Sequence, residues 1–380
     1  MTLRYWTAGE SHGKALLALV DGFPAGVKLD TAVIDQELRR RQGGYGRGGR
    51  QRIETDTVDV LSGIWKGETL GSPIALQVVN KDYKLERLSD LQRPRPGHGD
   101  LTGAIKYMGS IRGILERASA RETTVRVAAG ALARQLLSAF HIEVIGYVVE
   151  LGGIKLDPVD APLAERLQRR ESSEVYSLVP EKDEEVKKLI DETGKAGDTL
   201  GGIVEVRVEG MPFGLGTHAQ WDLKLDGRIA QAVMAVQAIK GVEIGLGFEA
   251  ARRPGSQVHD PIQFDPETRD TATLGFSRPT NNAGGLEAGM TNGQPLVVRA
   301  AMKPISTLAK PLGSVNLETK EAENAQYERS DVCAVSAASV IVENVVAFEI
   351  ARALVEKFGN DSLVEMQARL ELFNKMARER

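Results

Sequence analysis

The chain has 380 residues, of which 42% are hydrophobic and 26% charged, an ordinary balance for a globular protein of one or two domains. Its formal net charge of −4 excludes a globally basic nucleic-acid-binding protein. The single cysteine, Cys333, excludes an internal disulfide and favours a reducing compartment, so we expect a cytoplasmic protein. We also expect no signal peptide, no membrane span and no zinc site, because the sequence shows none of these patterns.

The N-terminal segment "LRYWTA" predicts a strand that ends in the turn "GESHG". This turn fits the G-x-S-x-G pattern of a hydrolase nucleophile, with Ser11 in the central position. However, only eight residues precede Gly9, too few for the earlier strand and loop that would supply an oxyanion donor. The side chains of Ser11 and His12 also diverge because the two residues are adjacent. We therefore expect Ser11 not to be a nucleophile.

The remaining elements follow in an irregular order. Strands are predicted at "PIALQVV", "IEVIGYVVEL" and "GIVEVRVEG", and Asn-Gly in "MTNGQPLVVRAAM" predicts a hairpin. Helices are predicted at "TTVRVAAGALARQLLSAF", at "DGRIAQAVMAVQAIKG", which Gly241 would close, at the buried "DVCAVSAASVIVENVVAFEIARALVEKFG" and in an amphipathic tail over 363–380. The charged segment 157–201 predicts a solvated helix and loop with no chemistry of its own. This order favours an α+β fold with antiparallel sheets, and we expect 1–380 to be one domain.

Arginine is concentrated in one glycine-rich stretch, "LRRRQGGYGRGGRQR". Guanidinium groups bind phosphate and carboxylate, and glycines let backbone N–H groups approach a ligand, so a site for a small anion is predicted. Two alternatives remain open: the first arginines end a helix, or the stretch is an RNA-binding RGG segment. The arginines concerned are Arg39, Arg40, Arg41, Arg47, Arg50 and Arg52.

Two of the five histidines lie in glycine-bounded turns. His12 is in "GESHG", and His98 is in "RPRPGHGD". Histidine transfers protons near neutral pH, so these turns together with the arginines suggest acid catalysis on a phosphorylated substrate. A surface turn with an incidental histidine is the alternative for each turn alone. The other three, His141, His218 and His259, are interpreted as structural.

Three further clusters give weaker signals. In "LERASARET", the start of a helix favours an anion site, although a capping serine explains the pattern equally well. In "KPISTL", Lys303, Ser306 and Thr307 could hold a cofactor phosphate. In "ERSDV", Asp331 precedes the apolar helix and could be its N-cap.

Together these segments resemble the chorismate synthase family over most of the chain. The resemblance is carried by "AGESHG", "RRRQGGYGRGGR", "SGIWKGETLGSPI", "RPGHGD", "SARET", "NNAGGLEAGMTNG", "MKPISTL" and "RSDVCAV", in the order of the family. Two small departures, Gly99 where alanine is usual and Ala118 where many members have serine, remove no proposed catalytic group.

The resemblance implies a layered β-α-β sandwich, with central helices between antiparallel sheets, assembled as a homotetramer. The implied reaction is a 1,4-elimination of phosphate from 5-enolpyruvylshikimate 3-phosphate to give chorismate, in the shikimate pathway of aromatic amino acid biosynthesis. The family is a carbon–oxygen lyase family that requires reduced FMN. NADP(H) is a candidate reductant of the flavin, and we expect an external flavin reductase because no nicotinamide-binding domain is recognisable.

The resemblance also assigns residue roles. His12 would protonate the departing phosphate, His98 would protonate the reduced flavin or hold its ionisation state, and Asp331 would act near flavin N5. Ser11 and Ser119 are possible relay groups. The substrate or NADP would contact Arg41, Arg47, Arg50, Arg95 and Arg121. The flavin would contact Arg117, Ala118, Ser119, Gln237, Ala238, Ala288, Lys303, Pro304, Ile305, Ser306, Thr307 and Arg329.

Overall fold

The structure, a computed structural model, describes residues 2–48, 54–328 and 330–380. Its helices are α1 (Thr31–Gln42), α2 (Asp100–Tyr107), α3 (Ile111–Ala118), α4 (Thr123–Ser138), α5 (Leu163–Ser172), α6 (Asp183–Lys195), α7 (Leu225–Met234), α8 (Val335–Phe358) and α9 (Leu363–Ala377). Side-chain caps begin several of them. Asp30 accepts from the backbone of Ala32 at the start of α1, and Ser362 accepts from Glu365 at the start of α9.

The strands of the described chain are β1 (Arg4–Ala8), β2 (Ala15–Asp21), β3 (Asp59–Val60), β4 (Ile64–Trp65), β5 (Glu68–Thr69), β6 (Ile74–Val79), β7 (Glu143–Leu151), β8 (Ile154–Lys155), β9 (Gly202–Glu209), β10 (Ile239–Ile244), β11 (Gln263–Phe264), β12 (Phe276–Ser277), β13 (Leu286–Glu287), β14 (Met290–Thr291), β15 (Leu296–Met302), β16 (Gly313–Val315) and β17 (Ala322–Asn324). Two antiparallel sheets contain the long strands. The first has the order β1-β2-β6-β3, and the second has the order β10-β15-β9-β7-β8. The four remaining sheets are two-stranded.

The first sheet buries one face, as alternation along β2 requires. Leu16, Ala18 and Val20 are buried, whereas Leu17 and Leu19 are exposed. Helix α4 packs on β2 and β6, α8 packs on β7 and β9 of the second sheet, and α4 and α8 pack on each other. This packing explains why α8 is apolar nearly all round, since it is covered on several sides.

The charged segment 157–201 supports the second sheet and the arginine-rich loop. Helix α5 helps to cover the outer face at β7, where Ile145 and Tyr147 form a small separate core. On the same face Glu205 is fully buried and bonded to Tyr147, Arg207 and Arg299. The alternation in β9 therefore does not place Glu205 in solvent, because the sheet has a second cover that the sequence does not reveal.

Most predicted elements are confirmed, including the α+β class with antiparallel sheets, the helices α4, α8 and α9, and strands β1, β6, β7 and β9. Two predictions are wrong. The helix predicted up to Gly241 ends at Met234, and 239–244 instead pairs with β15. The Asn-Gly turn at 292–293 does not close a hairpin, because β14 pairs with β13 while β15 pairs with β9 and β10. Distant pairing overrides local turn preference in both cases.

In the described part of the chain, no helix combines the length and apolar character needed to cross a membrane.

Candidate active site

One cavity of about 780 Å³ collects most of the predicted site residues from distant parts of the chain. It lies where the β1–β2 turn, the end of α1, the turn before α2, the start of α4, the end of α7 and the start of α8 meet. The predicted residues that line it are Ser11, His12, Arg41, Arg47, Arg95, His98, Ala118, Ser119, Arg121, Gln237, Ala238, Lys303, Pro304, Ile305, Ser306, Thr307 and Asp331. The other three histidines do not line it.

His12 is held in a turn that joins two antiparallel strands, so Ser11 is not on the strand-to-helix elbow of a hydrolase. Gly9 has φ +104°, and a Cβ there would meet the carbonyl oxygen of Ala15, so the turn requires glycine at this position. Nδ1 of His12 lies 2.9 Å from Glu116 Oε1, and the backbone N–H of His12 donates to Glu116 Oε2 at 2.7 Å. Nδ1–H therefore faces the carboxylate.

Glu116 is an almost completely buried carboxylate of α3. Burial alone would raise its pKa, but hydrogen bonds from the side chain and backbone of His12, together with the charges of His12 and Arg112, lower it on balance. Glu116 thus stays ionised and fixes the ring of His12. On the other side of the ring, Nε2 of His12 lies 3.7 Å from Asp82 Oδ2 at the cavity wall.

His98 has a second carboxylate partner. Its Nδ1 lies 2.6 Å from Asp100 Oδ1, and Arg95 donates to the same carboxylate through Nε at 2.8 Å and Nη2 at 3.0 Å. Burial would raise the pKa of Asp100, but the hydrogen bonds from His98 and Arg95 lower it well below its usual range. Arg95 also donates to Thr307 at 3.0 Å, which ties the histidine turn to the "KPISTL" segment.

Arg41, Arg47, Arg95 and Arg121 line the cavity. Among the described residues, Nη1 of Arg41 and Nη2 of Arg121 are buried without a hydrogen-bond acceptor, although each lies 3.6 Å from a buried carboxylate oxygen, Asp56 Oδ2 and Glu54 Oε2 respectively. Buried charged donors without acceptors are costly, so the wall is prepared to accept an anion. Of the other predicted arginines, Arg50, Arg52 and Arg329 lie outside the described residues.

The three consecutive arginines at the end of α1 have separate surroundings. Arg39 is exposed, Arg40 pairs with Glu37 and Glu343 in the protein interior, and Arg41 lines the cavity. The helix-end interpretation is therefore correct for their position, and of the three only Arg41 reaches the cavity wall. Burial lowers the pKa of Arg41, Asp56 opposes this, and the charges of Arg121 and Arg47 lower it further.

Asp331 is not the N-cap of α8, because Ala334 occupies that position and α8 begins at Val335. Its carboxylate instead lies 2.7 Å from Arg47 Nη1 and accepts from the backbone N–H of Gly48 at 2.6 Å. The loop after α1 and the segment before α8 are joined by these contacts at the cavity. The N-cap alternative is thus wrong, and Asp331 faces the cationic wall.

Ser119 combines the two alternatives left open for "LERASARET". Its Oγ accepts from the backbone of Arg121 at 3.2 Å, as a cap does, and donates to Ser11 Oγ at 3.3 Å. Both serines line the cavity. Ser119 therefore both caps the backbone and lines the cavity, so the two alternatives do not exclude each other.

Two predicted flavin-binding residues lie outside the cavity lining. Arg117 donates to the backbone oxygens of Thr7 and Gly9 at 3.0 Å each. Ala288 is exposed in the turn between β13 and β14, and the next residue, Gly289, accepts from Leu225 at the start of α7. The cavity lies at the other end of this ten-residue helix, about 15 Å along its axis. The roles of Arg117 and Ala288 stay predictions.

The sequence interpretation missed Glu116 and Asp100. Asp100 follows His98 by only two residues, so its closeness to that histidine in the sequence could have identified it. Glu116 lies within the segment "LERASARET", but nothing in that segment points to His12. Glu116 reaches His12 across 104 residues, which no local pattern reveals.

Comparison with known proteins identifies the family. A family model described as chorismate synthase matches residues 3–355. The chain belongs to the chorismate synthase family. It is 55% identical to chorismate synthase from Trichlorobacter lovleyi, over 96% of this chain and 97% of the relative, and 56% identical to that from Geobacter metallireducens, over 96% of each. A crystal structure of chorismate synthase superposes with a TM-score of 0.82 at 43% identity, covering 100% of this chain and 99% of that chain.

As a member of this family, the chain is an enzyme of aromatic amino acid biosynthesis, a carbon–oxygen lyase that acts on a small-molecule phosphate. Chorismate synthases use reduced flavin, and the cavity residues fit such a group. In the described part of the chain, Gln237 Oε1 is buried without a hydrogen-bond partner, and Lys303 forms no ion pair, although its Nζ donates to the backbone oxygen of Gly97. Apolar lining suits a flat ring system. The apolar residues that line the cavity are Leu88, Leu115, Val236, Met302, Ile305, Ala334, Ala337, Ala338 and Ile341.

Proposed function

We propose that the chain converts 5-enolpyruvylshikimate 3-phosphate to chorismate and phosphate by 1,4-elimination. The observation that carries this proposal is the convergence of His12, His98 and several arginines on one cavity that also has apolar lining. The substrate carries a phosphate and two carboxylates, and in the described part of the chain the wall offers guanidinium N–H groups that have no hydrogen-bond acceptor. An acid at the phosphate and cations around it are what departure of that group requires.

His12 acts as the acid for the leaving phosphate. Its Nδ1 is committed to Glu116, so Nε2 is the atom that would deliver the proton. The buried carboxylate compensates the charge of an imidazolium before the transfer. A general acid of this kind contributes roughly 10²- to 10⁴-fold in rate.

His98 and Asp331 hold or move protons on the cofactor side of the cavity. Asp100 orients His98 through Nδ1, as Glu116 orients His12. The carboxylate of Asp331 is available to accept a proton, with Arg47 compensating its charge. Ser11 and Ser119 are 3.3 Å apart and would serve as a hydroxyl relay.

The cofactor is reduced FMN, whose chemistry is the transient donation of an electron that assists departure of the phosphate. Residues Ala118, Ser119, Gln237, Ala238 and the segment 303–307 would hold it, several of them through the backbone. We extend this role to Arg117, Ala288 and Arg329, and we assign contacts with substrate or NADP to Arg41, Arg47, Arg50, Arg95 and Arg121.

The organisation we propose is one domain over 1–380, with the helical layer between the two antiparallel sheets. A single main core that draws on both sheets supports it. We further propose a cytoplasmic homotetramer whose flavin is reduced by an external reductase.

The test is an anaerobic assay of phosphate release from 5-enolpyruvylshikimate 3-phosphate with chemically reduced FMN and no pyridine nucleotide. Turnover is expected with reduced FMN and not with oxidised FMN. Release of phosphate without flavin, or no release under any of these conditions, would refute the proposal. Turnover without pyridine nucleotide would also show that NADP(H) serves only to reduce the flavin.

A matched variant separates chemistry from binding. His12→Ala should lose at least about 100-fold in turnover while still binding FMN. His141→Ala is the control, since that histidine is exposed and does not line the cavity. Equal losses in both variants would argue against His12 as the acid.

A further inference from the structure

Gln237 carries an unused acceptor at the cavity. The residue follows the end of α7 and lines the cavity. Its Oε1 is buried and has no hydrogen-bond partner among the residues that the structure describes, whereas its Nε2 donates to Glu122 Oε2 at 3.3 Å. A buried carbonyl oxygen without a donor costs free energy unless a ligand supplies one.

The orientation of this amide is set by a chain of hydrogen bonds that begins at Arg117. Arg117 donates to Thr7 Oγ1 at 2.7 Å, and a guanidinium can only donate. The Thr7 hydroxyl therefore keeps its single hydrogen for another acceptor. It donates this hydrogen to Glu122 Oε1, with 2.7 Å between the two oxygens. Each direction in this chain follows from the chemistry of the groups.

Glu122 completes the chain. Its carboxylate accepts a hydrogen bond from Thr7 on Oε1 and from Gln237 on Oε2. Reversing the amide of Gln237 would put its oxygen against the carboxylate. The –NH₂ group must face Glu122, and Oε1 is left as an obligatory acceptor.

We propose that Glu122 and Thr7 are positioning residues that make Gln237 Oε1 the acceptor for the imide N–H of the flavin ring. This inference rests on the proposed function, because it assumes that the cavity binds flavin. The ring of oxidised flavin has one N–H group, the imide. The donor to Gln237 Oε1 is therefore identified without placing the flavin in the cavity. The prediction missed Glu122 and Thr7 because their partners lie about 115 residues away along the chain.

The experiment measures the affinity of the full-length protein for oxidised FMN and for 3-methyl-FMN, which lacks the imide N–H, by quenching of flavin fluorescence. Wild type should prefer FMN by about tenfold, as expected for one buried hydrogen bond. Gln237→Leu should bind the two flavins equally. Glu122→Gln should reduce the preference to less than threefold, because a glutamine at 122 can donate to Oε1 and reverse the amide.

Thr7→Ser and Thr7→Val form the matched pair. Thr7→Ser keeps the hydroxyl and should keep the tenfold preference, whereas Thr7→Val should weaken it without removing Glu122. If Glu122→Gln fails to fold, the comparison of Thr7→Ser with Thr7→Val still tests the inference. A preference that persists in Gln237→Leu would mean that the methyl group clashes elsewhere, and it would overturn the inference.

The outcomes also separate the two proposals. If wild type binds FMN and 3-methyl-FMN equally, the role of Gln237 is wrong and the lyase proposal stands. If wild type binds neither oxidised flavin, the inference about Gln237 fails, while the anaerobic assay with reduced FMN decides the lyase proposal separately.

Discussion

Glu116 contacts both the ring and the backbone of His12: Oε1 and Oε2 lie 2.9 Å and 3.1 Å from the ring Nδ1, and Oε2 accepts from the backbone N–H at 2.7 Å. One carboxylate therefore fixes both the turn and the tautomer of its histidine. Arg112, 3.6 Å from the same carboxylate, helps to keep it ionised. Helix α3 thus orients a proton donor carried by a turn more than 100 residues earlier.

Glu116→Gln is expected to lower kcat by about 10- to 100-fold with little change in FMN affinity. The amide can donate to Nδ1, so the ring is no longer restricted to the tautomer that presents Nε2 as the proton donor. Steady-state kinetics give the rate, and ¹⁵N NMR of the histidine ring reports the tautomer. Glu165→Gln, on the exposed surface of α5, should change neither. A normal rate in Glu116→Gln would show that the carboxylate only supports the turn.

Glu37 should make stability depend on pH in the acid range. Burial raises its pKa, but Arg134 and Arg40 lower it to about 2 from an ordinary value of 4.5. Because the folded-state pKa is lower, this stabilisation is complete above about pH 4.5 and is lost as pH falls towards 2. The change amounts to about 3 kcal/mol.

Glu37→Gln should accordingly be less stable than wild type at pH 7, and the difference should shrink between pH 4.5 and pH 2. Urea unfolding measured across this range provides the comparison. Parallel stability curves for the two proteins would contradict the assignment.

Arg41→Met should leave the ligand-free protein as stable as wild type, or more stable by up to about 1 kcal/mol. Burial of the guanidinium, with the charges of Arg121 and Arg47, outweighs the attraction of Asp56, so an apolar replacement removes a charge that is unfavourable on balance. Binding of anions should suffer, so inorganic phosphate should raise Tm less than in wild type. Arg39→Met is the matched control, because Arg39 is exposed on the same helix end and should respond to phosphate as wild type does. An unchanged phosphate response in Arg41→Met would remove Arg41 from the anion site.

Gly46→Ala should displace the loop that brings Arg47 to Asp331. Gly46 has φ +85°, a Cβ there would lie 2.9 Å from Ile190 Cγ2, and its carbonyl oxygen accepts from Val332 at 3.0 Å. We expect a loss of about 2–4 kcal/mol, from backbone strain plus the clash, and weaker phosphate binding.

Gly67→Ala separates these two causes. Gly67 has φ +80°, but its Cβ would meet nothing within 4 Å, so only the strain of about 1 kcal/mol applies. Thermal unfolding and phosphate titration of both variants give the comparison. Equal costs, or unchanged phosphate binding in Gly46→Ala, would refute the role of this loop.

Local patterns predicted the elements whose environment is simple. The apolar run of α8 correctly predicts a helix buried on nearly all sides. The alternation in β6 correctly predicts a strand with one buried face. The helix predicted through Gly241 failed because pairing with β15 outweighs the helical preference of 239–241. Buried Glu205 could not be foreseen, since its cover comes from a separate segment of the chain.

The sequence by itself determined the family and the residue types of the site, because short motifs such as "GESHG" and "RPGHGD" carry their histidines in glycine-bounded turns. Only the tertiary structure decided which partner each group has. It set Arg40 among interior carboxylates and Arg41 at the cavity, although the two are adjacent. The physical reason is that charge compensation and hydrogen-bond direction act between groups close in space, and folding brings these together from positions more than 100 residues apart.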